Sequence, residues 1–133
     1  MGLNESLNDR DYLFGRLLAV ADVLERAALD DNRATNAIRY MNAFQRHPAR
    51  TWATIQSALQ PYQAKLGANA TYWTKIIDEV ASRIPVEEFN NKPLSHLYLL
   101  GFYSQRHALY QKRKDKESDQ TDHEQGVMND GNA

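Results

Sequence analysis

The sequence predicts an all-α protein, a compact bundle of about five helices followed by a disordered acidic C-terminal tail. Three observations favour this fold class. Apolar residues recur at spacings of three and four along most of the chain, no segment shows sustained alternation, and residues 115–133 are poor in large apolar side chains. An apolar fraction of 42% in 133 residues is ordinary for one globular domain with its own core.

The first two helices are indicated by a cap and by apolar stripes. Asn8 or Asp9 can accept hydrogen bonds from the free amides of a first helical turn. Apolar residues between Leu13 and Ala28 then recur at helical spacing, and the polar residues 30–32 predict the end of that helix. A second helix is expected from about residue 33 to 46, because its apolar positions fall on one stripe.

Proline and glycine mark the ends of the next two predicted helices. The third begins after His47 with Pro48 in its first turn and ends at Gly67. Pro61 lies inside it and is expected to kink or divide it. The fourth runs from about residue 70 to 83 and is ended by Pro85.

The fifth predicted helix, Leu94–Tyr110, is apolar on both sides, so it is expected to be the central helix of the bundle. Asn91 is its predicted cap, with Pro93 in the first turn. Gly101 is the only glycine within it, and a close crossing of two backbones is plausible there.

The charge of the chain is unevenly divided. The net charge is −1, but the tail carries six acidic residues and one basic residue, which leaves residues 1–114 at +4. We therefore predict two regions, a helical bundle domain over residues 8–114 and a disordered acidic tail over residues 115–133.

Several functional classes are disfavoured by the sequence. The chain has no cysteine, which excludes disulfides and thiolate chemistry and fits a cytoplasmic location. No apolar run is long enough to span a membrane. The four histidines are scattered, and no phosphate-binding loop, HExxH or GxSxG motif is present. We expect no catalytic residue, no metal and no cofactor.

The most informative feature is the absence of acidic residues from two long stretches, residues 32–77 and 89–114. A surface that has basic but no acidic side chains suits a polyanion. Lys92 lies in the second stretch. The predicted nucleic-acid-binding residues are Arg33, Arg39, Arg46, Arg50, Lys65, Lys75, Arg106, Lys112, Arg113 and Lys114. For each of them, pairing with a carboxylate of this chain or of a partner protein is the alternative.

Two groups of residues refine this prediction. Thr35 and Asn42 share a helical face with Arg39 and Arg46, and both could donate to phosphates. On the fifth helix, Tyr103, Arg106 and Tyr110 share another face. Nucleobases could stack on these tyrosines, but burial of the rings in the core is the favoured interpretation.

Two segments carry a resemblance to a known family. Residues 9–20, DRDYLFGRLLAV, and residues 100–110, LGFYSQRHALY, followed by Lys112, resemble the C-terminal region of the large subunit of type I-C CRISPR Cascade complexes. Residues 72–80 resemble an aromatic-led helix of the same region. The likeness covers residues 8–114, and the segment 100–110 is its most specific part.

This resemblance implies a non-catalytic helical subunit. In that family the same region is also made as a separate small subunit from an internal translation start, and the chain looks like such a product. The implied partners are the repeating backbone subunits, the large subunit, a neighbouring small subunit and unwound target DNA, mainly the displaced strand, with CRISPR RNA contacted only indirectly. A helical adaptor that binds an acidic protein partner is the alternative. A small helical enzyme and a helix-turn-helix regulator around His47-Pro48 are less favoured.

Overall fold

The computed structural model describes residues 2–112, and these residues are all-α, with no strand among them. Each of the five predicted helices is present, the second in two pieces. The helices are α1 (Arg10–Ala28), α2 (Asn36–Arg39), α3 (Met41–Arg46), α4 (Pro48–Leu66), α5 (Thr71–Ser82) and α6 (described over residues 97–112). Short 3₁₀ turns at Gly67–Ala70 and Val86–Glu88 follow α4 and α5. The predicted acidic tail lies outside the described residues.

The core is built around α1, and the prediction that the last helix is central was wrong. Fifteen of the 19 residues of α1 are buried, and α1 packs against both α4 and α5. On α6, by contrast, Leu100, Tyr103 and Tyr110 keep 43%, 49% and 36% of their surface exposed. The second apolar side of α6 consists largely of tyrosines, which carry a polar hydroxyl group on an apolar ring and tolerate partial exposure, so it does not require burial.

The close backbone crossing expected at Gly101 is confirmed, and its partner is α1. A Cβ atom on Gly101 would lie 2.1 Å from the carbonyl oxygen of Tyr12, and one on Gly15 would lie 1.9 Å from that of Tyr98. Only glycine at both positions lets the two helix backbones approach so closely. This crossing fixes α6 against the most buried helix of the protein.

The second predicted helix starts later than expected and is interrupted once. Thr35 caps α2 by accepting a hydrogen bond from the Ile38 amide at 3.4 Å, so residues 33–35 remain outside the helix. Tyr40, with φ −96° and ψ 11°, separates α2 from α3. Arg39 and Arg46 therefore lie on two short helices rather than on one.

The third predicted helix corresponds to α4, which is not divided at Pro61. It continues to Leu66 and ends at Gly67, whose φ is +59°. The carbonyl group that loses its amide donor belongs to Ser57, which is exposed, so water can satisfy it. The predicted start at Pro48 and stop at Gly67 are both confirmed.

The helix α6 begins at residue 97, three residues after its predicted start. The segment before it, from Asn91 to Leu94, is bonded to α3 and α4 instead. The Leu94 amide donates to the Gln45 carbonyl at 2.8 Å, and the Asn91 side chain accepts from the Arg50 amide at 2.8 Å. Asn91 thus ties the loop to α4 rather than capping α6, and its predicted role was wrong.

Candidate nucleic-acid interface

Eight of the ten basic residues predicted to bind nucleic acid lie within the described residues, and Arg113 and Lys114 lie outside them. The eight fall into two groups, depending on whether a carboxylate among the described residues pairs with them. The paired group is Arg33, Lys65 and Arg106, and the unpaired group is Arg39, Arg46, Arg50, Lys75 and Lys112.

Two of the paired residues lie near the end of α1. Arg33 Nε is 3.6 Å from Asp31 Oδ1, and Lys65 Nζ is 3.2 Å from Asp30 Oδ2. Lys65 also donates to the Ala28 carbonyl at 2.6 Å. All four charged side chains are more than half exposed, so each pair stabilises the fold by at most about 1 kcal/mol. The carboxylates nevertheless compete with any phosphate, which makes these two bases weaker candidates.

Three arginines in residues 39–50 are in the opposite situation. Arg39, Arg46 and Arg50 are exposed, and no carboxylate of residues 2–112 pairs with their side chains. An exposed guanidinium offers two parallel donors in the geometry that a phosphate accepts. These three residues therefore retain the charge and the donors that phosphate binding needs.

Of the two polar residues predicted to support these arginines, only Asn42 is exposed. Thr35 is fully buried, and its Oγ1 donates to Asp22 Oδ1 at 2.5 Å. The prediction that Thr35 reaches a phosphate was wrong, because the buried Asp22 of α1 draws its hydroxyl inward.

The loop before α6 adds Lys92, which was not among the predicted site residues. The Arg50 amide donates to the Asn91 side chain and the Leu94 amide donates to the Gln45 carbonyl, which holds this loop against α3 and α4. The exposed Lys92 directly follows Asn91, the residue bonded to Arg50. The acid-free stretch marks Lys92 as a candidate, but only the folded chain shows its neighbours. The helices α2, α3 and α4 contact one another, and the exposed bases that they and this loop carry are called the arginine surface: Arg39, Arg46, Arg50 and Lys92.

Arg10 and Asp11 at the start of α1 hold this loop in place. Arg10 Nε donates to the Glu88 carbonyl at 2.7 Å and Nη2 to the Lys92 carbonyl at 2.9 Å. Asp11 Oδ2 accepts from the Ser95 amide at 2.8 Å. Partial burial would by itself raise the pKa of Asp11, but the bonds from Ser95 and Arg10 outweigh it and hold that pKa below its usual range.

Lys75 and Lys112 lie on other elements. Lys75 is exposed on α5, and among the described residues no carboxylate pairs with it. Lys112, on α6, places Nζ 5.1 Å from the centre of the Tyr72 ring at the start of α5. Neither lysine lies on α2, α3, α4 or the loop that carry the arginine surface, so the predicted bases are spread over several elements.

A second candidate surface lies on the exposed side of α6. Tyr103, Arg106, His107 and Tyr110 line an open depression of about 460 Å³. The favoured interpretation, that these tyrosines are core residues, was wrong, since both rings are exposed. Arg106 is held over the Tyr110 ring, with Cζ 5.6 Å from its centre, and its Nε lies 3.4 Å from Asp22 Oδ2.

Two acidic residues of α1, Asp22 and Glu25, are buried. Asp22 is 2% exposed and Glu25 is fully buried. Glu25 Oε1 accepts from both the backbone and the side-chain amide of Asn36, each at 3.0 Å. These two carboxylates anchor the segment before α2 and leave the surface free of their charge.

Within residues 2–112, no cluster of three or more His, Asp or Glu side chains is arranged to hold a metal ion. The described helices also include none with the length and apolarity that crossing a membrane requires.

The fold and its surfaces define a class, a small helical protein with unpaired exposed arginines and no assembled metal-ligand cluster among its described residues. The family model described as CRISPR-associated protein (Cas_Csd1) matches residues 1–110. The chain belongs to this family and is a CRISPR-associated protein. A search of curated proteins gives no significant match.

Proposed function

We propose that this chain is the non-catalytic small subunit of a type I-C CRISPR Cascade complex and stabilises unwound target DNA, mainly the displaced strand. Its membership of a CRISPR-associated family supports a place in such an assembly. The resemblance of residues 9–20 and 100–110 to the C-terminal region of the large subunit supports the type. The proposed partners are the backbone subunits, the large subunit and a neighbouring small subunit, with CRISPR RNA contacted only indirectly, and the proposed location is the cytoplasm.

The observation that carries this proposal is the arginine surface. Its three arginines have no carboxylate partner among residues 2–112, and Lys92 directly follows Asn91, which accepts from the Arg50 amide. In RNA-guided complexes base pairing to the guide reads the target sequence, so a DNA-holding subunit needs charge and shape rather than base-edge contacts. Exposed arginines that are not neutralised internally meet this need.

A few phosphate contacts per chain give weak binding in isolation. Phosphate contacts of this kind are sequence-independent, and non-specific dissociation constants are typically about 10⁻⁴ to 10⁻⁶ M at physiological salt. Assembly beside a guide-paired strand raises the effective concentration of the displaced strand near the arginine surface. We therefore place the function in the complex rather than in the free chain.

A helical adaptor that binds an acidic protein partner is the second candidate. Arg33 and Lys65 show that carboxylates are suitable partners for bases of the acid-free stretch, because each pairs with a carboxylate of this chain. An adaptor would use the arginine surface in the same way, with carboxylates from another subunit in place of phosphates. It predicts that the chain has no direct effect on DNA.

The two candidates are separated by comparing the complex with and without this chain. Labelled single strands are titrated against each, and the displaced strand of a bound target is footprinted. The proposal predicts weaker binding and loss of protection on the displaced strand when the chain is omitted. Equal affinity and an identical footprint, with the remaining subunits still assembled, would favour the adaptor.

A further inference from the structure

Two tyrosine side chains on α6 are exposed, although burial of both rings was the interpretation favoured from the sequence. Tyr103 keeps 49% and Tyr110 keeps 36% of its surface accessible. They are seven residues apart, two helical turns, so their Cα atoms are separated by about 10 Å along one side of the helix. Both line the same open depression with Arg106 and His107.

Arg106 is held in place between these rings and the core. Its Cζ lies 5.6 Å from the centre of the Tyr110 ring and 5.8 Å from that of Phe102. Nε is 3.4 Å from the carboxylate of Asp22, which is itself 2% exposed. The Nε atom makes no hydrogen bond among the described residues, but the ion pair and the two ring contacts restrict the guanidinium. Binding a flat ligand beside it would therefore cost less side-chain entropy than binding beside a free arginine.

The exposed lining of the depression bears no negative charge. No acidic residue occurs between residues 89 and 114, and among residues 2–112 the only carboxylate paired with the lining is the buried Asp22. Such a surface does not repel a phosphodiester chain. Exposed aromatic rings next to a guanidinium plane are the chemistry on which unpaired nucleobases stack without sequence preference.

We propose that this depression binds the bases of a single-stranded nucleic acid, which stack on Tyr103 and Tyr110 beside the Arg106 plane. This inference deepens the proposed function and rests on it, because it assigns the bases to α6 and leaves the phosphates to the arginine surface. It distinguishes the two surfaces by the part of the strand that each contacts. Duplex DNA, whose bases are already stacked, is not a ligand of this site.

The test uses the full chain and two synthetic strands of equal length, one of thymidines and one of abasic sites. Both strands carry the same phosphates, so only contacts to bases separate them. Loss of one stacked base typically weakens binding by roughly 5- to 150-fold, and the lower end is expected for rings that are only partly exposed. Three variants are compared: Tyr103→Leu/Tyr110→Leu, Tyr103→Phe/Tyr110→Phe and Arg39→Ala/Arg46→Ala.

The expected result is a preference for the thymidine strand that the leucine variant loses and the phenylalanine variant keeps. The preference should survive in Arg39→Ala/Arg46→Ala, whose affinity for both strands falls together. That last variant reports on the proposed function, because the arginine surface is predicted to contact only phosphates. The unfolding midpoint of the phenylalanine variant should match the parent, because the ring is kept, and that of the leucine variant should fall only slightly, because each ring is partly exposed.

Binding is followed by fluorescence anisotropy and by the ring-proton resonances of Tyr103 and Tyr110. Strand concentrations reach the low millimolar range, about tenfold above a weak non-specific dissociation constant of roughly 10⁻⁴ M. Equal affinity for the two strands, or unmoved ring resonances at these concentrations, would overturn the stacking site and leave the proposed function standing. Self-association that depends on Tyr103 and Tyr110, with strand binding unchanged, would assign this surface to protein contact and overturn it as well.

Discussion

Arg33 and Lys65 at one end of the bundle, and the arginines of residues 39–50, come from the same acid-free stretch but are in different electrostatic states. Arg33 and Lys65 are paired with Asp31 and Asp30, which lie just before that stretch in the sequence. Arg39, Arg46 and Arg50 have no such partner among the described residues. The comparison shows that an acid-free sequence is not the same as an acid-free surface, because acidic residues that flank the stretch can lie beside its bases in the folded chain.

The largest effect is expected from a substitution where α6 crosses α1. Gly101→Ala places a Cβ 2.1 Å from the Tyr12 carbonyl oxygen, which is backbone and cannot rotate away. We expect a loss of about 3 kcal/mol or more in the free energy of unfolding, because overpacking of this kind outweighs the helix propensity of about 1 kcal/mol that alanine gains. Urea denaturation measures it.

Gly2→Ala is the matched control for that substitution, since no atom lies within 4 Å of its added Cβ. Its unfolding midpoint should equal that of the parent chain. A Gly101→Ala variant as stable as the parent would show that α1 and α6 are not in close backbone contact.

The next largest loss of stability is expected from substitution of Asp22, the carboxylate that pairs with Arg106. Asp22→Asn removes the buried charge that faces Arg106 Nε and weakens the bond from Thr35. We expect a loss of about 1 to 3 kcal/mol in stability, together with a steeper salt dependence of single-strand binding, because Arg106 becomes free. An unchanged salt dependence in the folded variant would show that the freed Arg106 makes no phosphate contact.

A smaller effect concerns the pH dependence of the loop that carries Lys92. Since the pKa of Asp11 is lowered in the folded state, its contribution to stability is present above pH 3.8 and is lost as the pH falls through the folded pKa. Asp11→Asn should therefore destabilise the chain at neutral pH, by about 1 kcal/mol for the charge-assisted bonds lost. The difference in unfolding free energy between Asp11→Asn and the parent chain should shrink as the pH falls below 3.8.

Urea titrations from pH 7 down to pH 2 compare the two chains, and hydrogen exchange at the Ser95 amide reports on the same bond. A stability difference that does not change with pH would show that the Asp11 carboxylate is not held by Ser95 and Arg10.

The smallest effect on the fold, and the closest test of the comparison, comes from unpairing the two bases at the end of α1. Asp30→Asn/Asp31→Asn frees Lys65 and Arg33, whose exposed pairs stabilise the chain by at most about 1 kcal/mol each. We expect little change in stability and a modest, few-fold gain in single-strand affinity at low salt. Unchanged affinity would show that these bases are too far from the strand to contribute.

The sequence predicts most of the fold because its helix ends are locally encoded. Asp9, Pro48 and Gly67 act where they are expected, and Gly101 marks the crossing with α1. The break at Tyr40 could not be predicted, since no glycine or proline occurs there. The late start of α6 depends on bonds between residues far apart in the chain, such as that of Asn91 with Arg50.

The candidate site was predicted less completely, because it too depends on contacts between residues far apart in the chain. Spacing identifies Arg39 and Arg46 but places Thr35 beside them, although the buried Asp22 draws Thr35 into the core. Helical periodicity also cannot tell whether a tyrosine-rich side of a helix is covered, because the partner that would cover it lies elsewhere in the chain. Exposure of Tyr103 and the position of Lys92 are tertiary properties.

The most direct test of the DNA-holding account compares two double variants in the assembled complex, Arg39→Ala/Arg46→Ala and Arg33→Ala/Lys65→Ala. Both remove two positive charges, but only the first removes unpaired ones. The account predicts that the salt dependence of target DNA binding flattens by roughly 0.7 for each lost single-strand phosphate contact in the first variant and hardly changes in the second. An unchanged slope in the first variant would contradict the account, because it would show that these arginines face protein or solvent.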